Sequence, residues 1–414
     1  MAQRSQCYAP GLPSVDAALA LLRACIPQPS GSEMVPLTAA QDRILAQAVV
    51  ATAPLPSQDN SAMDGFALAL PQDGVVAGFS LVGQALAGTR FVGAVGAYEC
   101  IRIATGASLP AGCDTVVPRE QATLHDGRLS VADTIERGAN IRRCGEDFAA
   151  GAVLLAAGTR LQAFPLGLLA AAGVAHLCVR PGLRVAIFST GNELCATGDP
   201  LAPGQIFDAN RLMLTSLCGQ LGYQVTDFGI VPDAPQNLAA ALAQAAREHD
   251  VVISSAGTSQ GEGDHLAAAL RACGGEVLVS GCAIKPGKPV LFGSIDTTAV
   301  IALPGNPVAA VTTFLVLALP LLRRLAGQAE EAAPWCQSRS AFSHSKKAGV
   351  REYLRVRRGV GDDGCAVEKA GPQGSAMLSA LAASEGLVCL DETVTAVTPG
   401  MLLPYRSYAE LMWA

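Results

Sequence analysis

Between residues 181 and 326, short unbroken apolar runs alternate with longer stretches whose apolar positions recur every three or four residues. The runs Val185–Ser189, Gln224–Ile230, Val251–Ser255, Val277–Ser280 and Val300–Leu303 read as strands, and Arg211–Gly222, Gln236–Glu248, His265–Ala272 and Val308–Leu325 as helices. That rhythm predicts an α/β region with a largely parallel sheet and right-handed crossovers. Nearer the N-terminus, Ser14 precedes a periodic run from Val15 to Ile26, and Thr38 precedes another through Ile44, Leu45 and Val49, which predicts two helices. From Ala53 to Gly158 the pattern changes to short apolar runs broken by glycine, with a His125-Asp126-Gly127 turn between Thr123-Leu124 and Leu129–Val131 that predicts a hairpin. Beyond Gly327 the alternation stops, and Tyr353–Arg357, a Gly361-Asp362-Asp363-Gly364 turn and Leu387–Leu390 suggest a small β domain. No internal repeat is visible.

Composition narrows the partners. A chain of 414 residues exceeds one ordinary domain, and with 50% hydrophobic and 15% charged residues it can bury a sizeable core. A net charge of -6, with basic residues only in short groups such as Arg355, Arg357 and Arg358, argues against a nucleic-acid partner. The 13 cysteines form no Cys-x-x-Cys, and Met1 to Pro10 lacks a charged-then-apolar leader, so reduced thiols in the cytoplasm are expected. The five histidines are scattered, without the spacing of a zinc site. The longest apolar stretch, Pro307–Leu322, contains Thr312, Thr313 and Pro320 and falls short of the ~20 residues a spanning helix needs, so it reads as a core helix and no membrane is expected.

The loops that follow strands carry most of the candidate chemistry, where open parallel sheets bind ligands. Thr190-Gly191-Asn192-Glu193, Ala256 to Asp264, and Pro304-Gly305-Asn306-Pro307 should share one sheet edge. Asn306 can cap a helix that begins at Pro307, leaving N–H groups and a positive dipole end for an oxyanion or phosphate; an ordinary helix start is the bland alternative. Lys285-Pro286-Gly287-Lys288-Pro289 puts two ammonium groups on a stiffened loop, unless both are simply solvated. Glu193, Asp233 and Asp264 are hard oxygen donors suited to Mg²⁺ beside phosphate, or caps of their own loops. Asp59 to Phe66 and Thr105 to Pro110 are polar clusters in otherwise apolar text. No histidine lies in these loops and no glycine-rich phosphate loop ends in Lys-Ser/Thr, which removes a Ser/His/Asp hydrolase and a nucleotide-triphosphate loop. The residues alone support an anion-binding, Mg²⁺-assisted enzyme.

Six segments in order, Asp59–Phe66, Thr105–Pro110, Ile141–Asp147, Ser189–Leu194, Ile284–Pro289 and Leu303–Pro307, resemble the molybdopterin molybdenumtransferases of the MoeA and gephyrin E-domain type. The resemblance runs through nearly the whole chain. It implies insertion of molybdenum from molybdate into adenylylated molybdopterin with release of AMP. Lys285, Lys288 and Ser375, in Gln373-Gly374-Ser375, are then expected to hold molybdate, with Gly305, Asn306 and Pro307 as further anion contacts. Asp59, Thr105, Glu193, Asp233 and Asp264 match the family's active-site positions, with Glu193, Asp233 and Asp264 assigned to Mg²⁺. The family also implies an elongated homodimer in which Asp59 and Thr105 complete a neighbour's site, with a molybdopterin adenylyltransferase and recipient molybdoenzymes as partners. The expected architecture is an α/β multidomain chain: residues 1–52 plus 141–180 form a discontinuous N-terminal/linker domain, 53–140 a β-rich insert, 181–326 a molybdopterin-binding-type α/β domain, and 327–414 a small β-barrel-like domain.

Three departures stand out. Ala256 replaces a glycine usual in relatives, Ala309 replaces a serine after the Pro-Gly-Asn-Pro loop, and Val350 holds the place of an arginine, which leaves Arg351, the remaining candidate there for substrate or molybdate contact, on the opposite strand face. They give some weight to a non-catalytic molybdopterin-binding or scaffold protein of the same fold. An adenylyltransferase shares the α/β domain but lacks the others.

Overall fold

The computed structural model describes residues 11–25, 31–71, 78–131, 135–257, 265–329, 334–359 and 366–413. They fall into two compact units, one of residues 1–33, 42–46 and 179–414, the other of 34–41 and 47–178.

The larger unit contains the anticipated α/β sheet. Its strand order is Gln224–Val231, Arg184–Thr190, Val251–Ser255, Thr298–Leu303, Leu291–Ile295 and Glu276–Ser280. The first four are parallel and the last two join antiparallel. Val185 to Ile187, Val251 to Ile253 and Ile301 to Leu303 are fully buried, as expected of parallel strands covered on both faces. Leu291–Ile295 was not anticipated, because Gly293 and Ser294 interrupt its apolar run; it turns into Thr298–Leu303 through Asp296 at φ 48.

The predicted Val308–Leu325 helix is continuous but not uniform: Pro307–Thr313 is α, Phe314–Ala318 is π, and Leu319–Leu325 is α again. Pro320 supplies the reason, since it has no N–H to return to the Val316 carbonyl and its ring clashes there, so the preceding turn widens. This 19-residue stretch is apolar and long enough to cross a membrane, yet its residues form the middle of the core.

Residues beyond 335 close a five-stranded barrel: Arg351–Gly359, Ala366–Lys369, Cys336–Ser340, Leu402–Ser407 and Gly386–Leu390, which pairs back to Arg351–Gly359. Leu354, Val356, Val367, Val388 and Leu403 fill it. The short strand Ile284–Lys285 from the α/β region adds outside the barrel, parallel to Arg351–Gly359. The Gly361–Gly364 turn lies outside the described residues. The first predicted helix is present as Val15–Cys25, with Val15, Ala18 and Leu22 in the core.

The second predicted helix is not. After a single 3₁₀ turn at Leu37–Ala39 the chain takes a left-handed residue at Asp42 (φ 60), bridges Leu45 to Val179, and pairs Val49–Val50 with Val153–Leu155. An αL residue ends helical propagation, and strand partners claim the apolar positions instead.

The smaller unit holds a six-stranded sheet in the order Thr115–Pro118, Gly65–Leu68, Glu99–Ile103, Phe79–Ala85, Arg128–Val131 and Ala122–His125. The expected hairpin is there: His125 pairs with Arg128 across Asp126 (φ 47) and Gly127 (φ 75), the doubly positive turn that matches strand twist. Apolar layers cover both sheet faces, one around Ile101 and Val116, the other around Phe79 and Leu129.

Candidate functional site

In the larger unit, the carboxyl ends of Arg184–Thr190, Val251–Ser255 and Thr298–Leu303 bound a cleft of about 580 Å³. Glu193, Ala256 and Gly257, and Pro304 to Pro307 line it, so the described parts of the loops expected to share one sheet edge do share it. Ile206 and Phe207 form an apolar side, and Ala376 and Leu378 reach in from the barrel region. At Gly191 (φ +149) a side chain would collide with the Glu193 carboxylate, whose oxygens lie 2.5 and 2.7 Å from where a Cβ would sit. Glycine there is what lets the acidic group fold back over the strand end.

Asp208 and Asn210 form the cleft floor, and sequence reasoning missed both. Asn210 Nδ2 donates to Ser255 Oγ at 2.8 Å and to the Gly305 carbonyl at 2.7 Å, tying two strand-end loops together. Ser189 Oγ and Arg211 Nε donate to the buried Asp208 carboxylate at 3.0 and 2.9 Å. The available signal was the Asp208-Ala209-Asn210 triplet, lying immediately before a helical run that periodicity starts at Arg211.

Asn306 occupies the position before the Pro307 helix with extended backbone (ψ 126), but its side chain makes no capping bond. The reason is a competitor: the Val308 N–H donates to the Ser375 carbonyl at 3.0 Å. Ser375 is therefore drawn to this helix start through its backbone, and the next residue, Ala376, lines the cleft. Ala309 is buried one residue further on, and its carbonyl accepts from Thr313 Oγ1 at 2.7 Å.

The lysine loop packs on the same helix. Gly287 (φ +121) sits so close to Thr313 that any side chain there would overlap it, and the loop ends in cleft-lining Pro289. The Lys285–Pro286 bond is cis. Lys285 Nζ lies 2.8 Å from Glu352 Oε1, directly opposite it in the strand register, and His344 Nε2 lies 3.3 Å from Glu352 Oε2. Burial alone would raise the Glu352 carboxyl, but hydrogen bonds from His344 and Lys285 outweigh it and hold it below the usual range. The Lys288 carbonyl accepts from the Cys282 and Val290 N–H groups, both at 3.1 Å.

Arg351 does not reach the cleft. Its guanidinium grips Asp16 at 2.8 and 2.7 Å and Glu392 at 3.2 Å, fastening the Val15–Cys25 helix to the barrel, and the Asp16 hydrogen bond pushes its proton affinity up. Val350 is buried. Ala256, the other departure, is held left-handed at φ +73, a conformation glycine takes without strain, which explains the glycine usual in relatives. Asp233 lies two residues beyond the neighbouring Gln224–Val231 strand, outside the cleft lining, with its Oδ1 buried and unpartnered among the described residues. Asp264 lies outside the described residues, within which no group of three metal-donor side chains is found.

Asp59 and Thr105 belong to the smaller unit, where three motifs interlock. Asn60–Ser61 pairs with Ile141–Arg142, and Leu109 and Gly106 N–H groups donate to Asp59 and Ser61 carbonyls. Asp59 accepts from the Cys144 N–H at 2.8 Å and Arg143 Nη1 at 2.6 Å, and these bonds hold its carboxyl below the usual range. Thr105 donates through both N and Oγ1 to Asp64 Oδ1, each at 2.7 Å. Its hydroxyl proton is thus directed at Asp64.

Comparison with known proteins agrees with the geometry. Residues 13–173 match the MoeA N-terminal region (domain I and II), 186–324 a probable molybdopterin binding domain, and 337–405 the MoeA C-terminal region (domain IV). A molybdopterin molybdenumtransferase of Haemophilus influenzae is 36% identical over 390 residues, covering 94% of this chain and 96% of its own. The molybdopterin molybdenumtransferase 2 of Mycobacterium tuberculosis is 34% identical over 92% of this chain and 95% of its own. A crystal structure of the molybdopterin biosynthesis MoeA protein from Pyrococcus horikosii superposes with a TM-score of 0.76 at 29% identity, covering 95% of this chain and 98% of that one. Matched from its N-terminal helix to its barrel, the chain belongs to the molybdopterin molybdenumtransferase family of enzymes.

Proposed function

We propose that this enzyme acts in molybdenum cofactor biosynthesis, transferring molybdenum from molybdate to the dithiolene of adenylylated molybdopterin with release of AMP. The observation that carries this reading is the cleft: strand-end loops and the Ser375 segment meet the start of the Pro307 helix, and the lysine loop packs on the same helix at Thr313 and reaches the cleft through Pro289. A phosphoanhydride or a small dianion suits a cleft at the carboxyl ends of parallel strands that also carries the start of the Pro307 helix, with the lysine loop packed on that helix and its Pro289 in the lining. Lys285, Lys288 and Ser375 are assigned to molybdate, Gly305, Asn306 and Pro307 to anion contact, and Asp59, Thr105, Glu193, Asp233 and Asp264 to positioning the reacting groups.

Mg²⁺ fits the donors available. Carboxylate oxygens are hard ligands, and the buried, unpartnered Asp233 Oδ1 is an acceptor a cation would satisfy. Glu193, Asp233 and Asp264 would hold it, where it would neutralise phosphate charge. A homodimer belongs to the same reading; Phe164 (92% exposed), Val153 and Met34 leave apolar surface on the smaller unit for a second copy. A cytoplasmic location and delivery of substrate by an adenylyltransferase complete it.

The test is AMP release and cofactor formation by purified protein supplied with adenylylated molybdopterin, molybdate and Mg²⁺. Molybdate-dependent turnover, abolished in Asp264→Ala and Lys285→Ala, is expected. Tight molybdopterin binding without AMP release would instead make the chain a carrier or scaffold.

A further inference from the structure

Arg355 is 0% exposed, the largest fully buried side chain among the described residues, and no carboxylate pairs with it there. Its Nη2 donates to the Pro372 carbonyl at 2.7 Å and the Gly374 carbonyl at 3.2 Å. Its backbone is locked to the same loop: Arg355 N–H donates to Gln373 Oε1 at 2.9 Å, and Gln373 Nε2 donates back to the Arg355 carbonyl at 3.0 Å. Ser375 follows directly and is held to the Pro307 helix through Val308. Three residues earlier on the same strand, Glu352 (3% exposed) holds Lys285. One barrel strand therefore grips both loops that pack on the Pro307 helix.

Burying a cation without an anion is costly, and here Nη2 alone spans two backbone carbonyls, which fixes a loop rather than forming an ion pair, while Nε and Nη1 are buried without a partner among the described residues. A carboxylate against Arg355 would cancel its field next to Ser375; a dianion bound at Ser375 would instead be the counter-charge. Glu352 likewise takes one Lys285 hydrogen and leaves the ammonium two more donors.

We propose that the Arg351–Gly359 strand is the positioning element of the oxyanion site, with Arg355 setting the 372–375 loop and Glu352 setting Lys285, so that the barrel governs affinity for molybdate. This rests on the assignment of Lys285 and Ser375 to molybdate. Neither Arg355 nor Glu352 is assigned contact with the reacting atoms.

The experiment compares the full-length protein with Arg355→Lys, Glu352→Gln, Gln373→Ala and Lys285→Ala, measuring molybdate binding by calorimetry and kcat and KM for both substrates. Lysine at 355 keeps the charge but loses the planar donor that spans the Pro372 and Gly374 carbonyls, so KM for molybdate should rise about tenfold, with kcat and the KM for the pterin substrate changed less than about twofold. Gln373→Ala, which loosens the same loop without touching a buried charge, should give a smaller rise of about threefold, and it decides the matter if Arg355→Lys does not fold. Weakened molybdate binding in Lys285→Ala together with unchanged values in the three strand and loop variants would overturn the positioning role alone. Unchanged binding in Lys285→Ala would overturn the molybdate assignment beneath it. A general loss of kcat and both affinities would show Arg355 to be merely structural and also overturn the proposal.

Discussion

In the smaller unit, Asp59 uses both carboxylate oxygens on Arg143 and Cys144, and Asp64 accepts twice from Thr105. At the sheet edge of the larger unit, by contrast, Thr190 Oγ1, Asn210 Oδ1, Asp233 Oδ1 and Ser254 Oγ are buried without a partner among the described residues. Asn60 Oδ1 is the one such atom in the Asp59 knot. Each orphaned polar group costs on the order of 1–3 kcal/mol, so keeping several at one edge gives up stability there, the pattern expected of a ligand-binding edge. The Asp59 knot carries little of that cost, and its shape is fixed by its own hydrogen bonds.

The largest expected effect tests the floor of the cleft. Asn210→Leu keeps the volume but strands the Gly305 carbonyl and Ser255 Oγ; we expect about 2–3 kcal/mol lost in urea unfolding and turnover reduced at least about a hundredfold. Unchanged unfolding would mean that the floor is not held by this side chain. Next comes the orphan itself. Asp233→Asn removes a charge whose Oδ1 is unsatisfied, so the ligand-free protein should gain about 0.5–1 kcal/mol while Mg²⁺-dependent turnover falls. A loss of stability would show that the carboxylate is already paid for by a partner, and the contrast between the units would weaken.

The knot should respond differently, and to pH. The Asp59 carboxyl is held down chiefly by the Cys144 N–H, then by Arg143. A depressed carboxyl contributes stability above its unfolded range, and that contribution is lost as pH falls through the folded value. Asp59→Asn should therefore flatten the acid limb below the ordinary aspartate range. Because the pair is partly solvent-screened, the loss at neutral pH should stay under about 1 kcal/mol. Equal acid sensitivity in the variant, followed by thermal unfolding across that limb, would count against the assignment.

How much of this was legible follows the same physics. Periodicity found the four parallel strands and their helices, because both sheet faces are buried and the runs are uninterrupted. It missed Leu291–Ile295, which glycine and serine divide, and it invented a helix after Thr38 where Asp42 turns left-handed. The strand-end loops announced the cleft, but Asp208 and Asn210 did not, since a polar triplet before a helix reads as a boundary. In sequence Arg355, Arg357 and Arg358 form one short basic group with nothing to tell them apart; the barrel buries the first and exposes the others. Charge predicts solvent exposure only until a closed sheet decides otherwise. Asp59, Thr105 and Lys285 came from the resemblance as much as from their residue types.

The smallest effect concerns Ala256, where the strained edge and the family pattern meet. A methyl-bearing residue at φ +73 costs about 1–2 kcal/mol relative to its ordinary conformation, while glycine loses about 0.5–1 kcal/mol of unfolded-state freedom on folding. The difference favours glycine slightly, so Ala256→Gly should raise stability by about 0.5 kcal/mol. The Ala256 Cβ also lies 3.2 Å from where a side chain on Gly305 would sit, so its removal widens the cleft between two strand-end loops. If that methyl narrows the site, the variant should also lower KM for the pterin substrate. A gain in stability with KM unchanged would make Ala256 a matter of backbone strain alone.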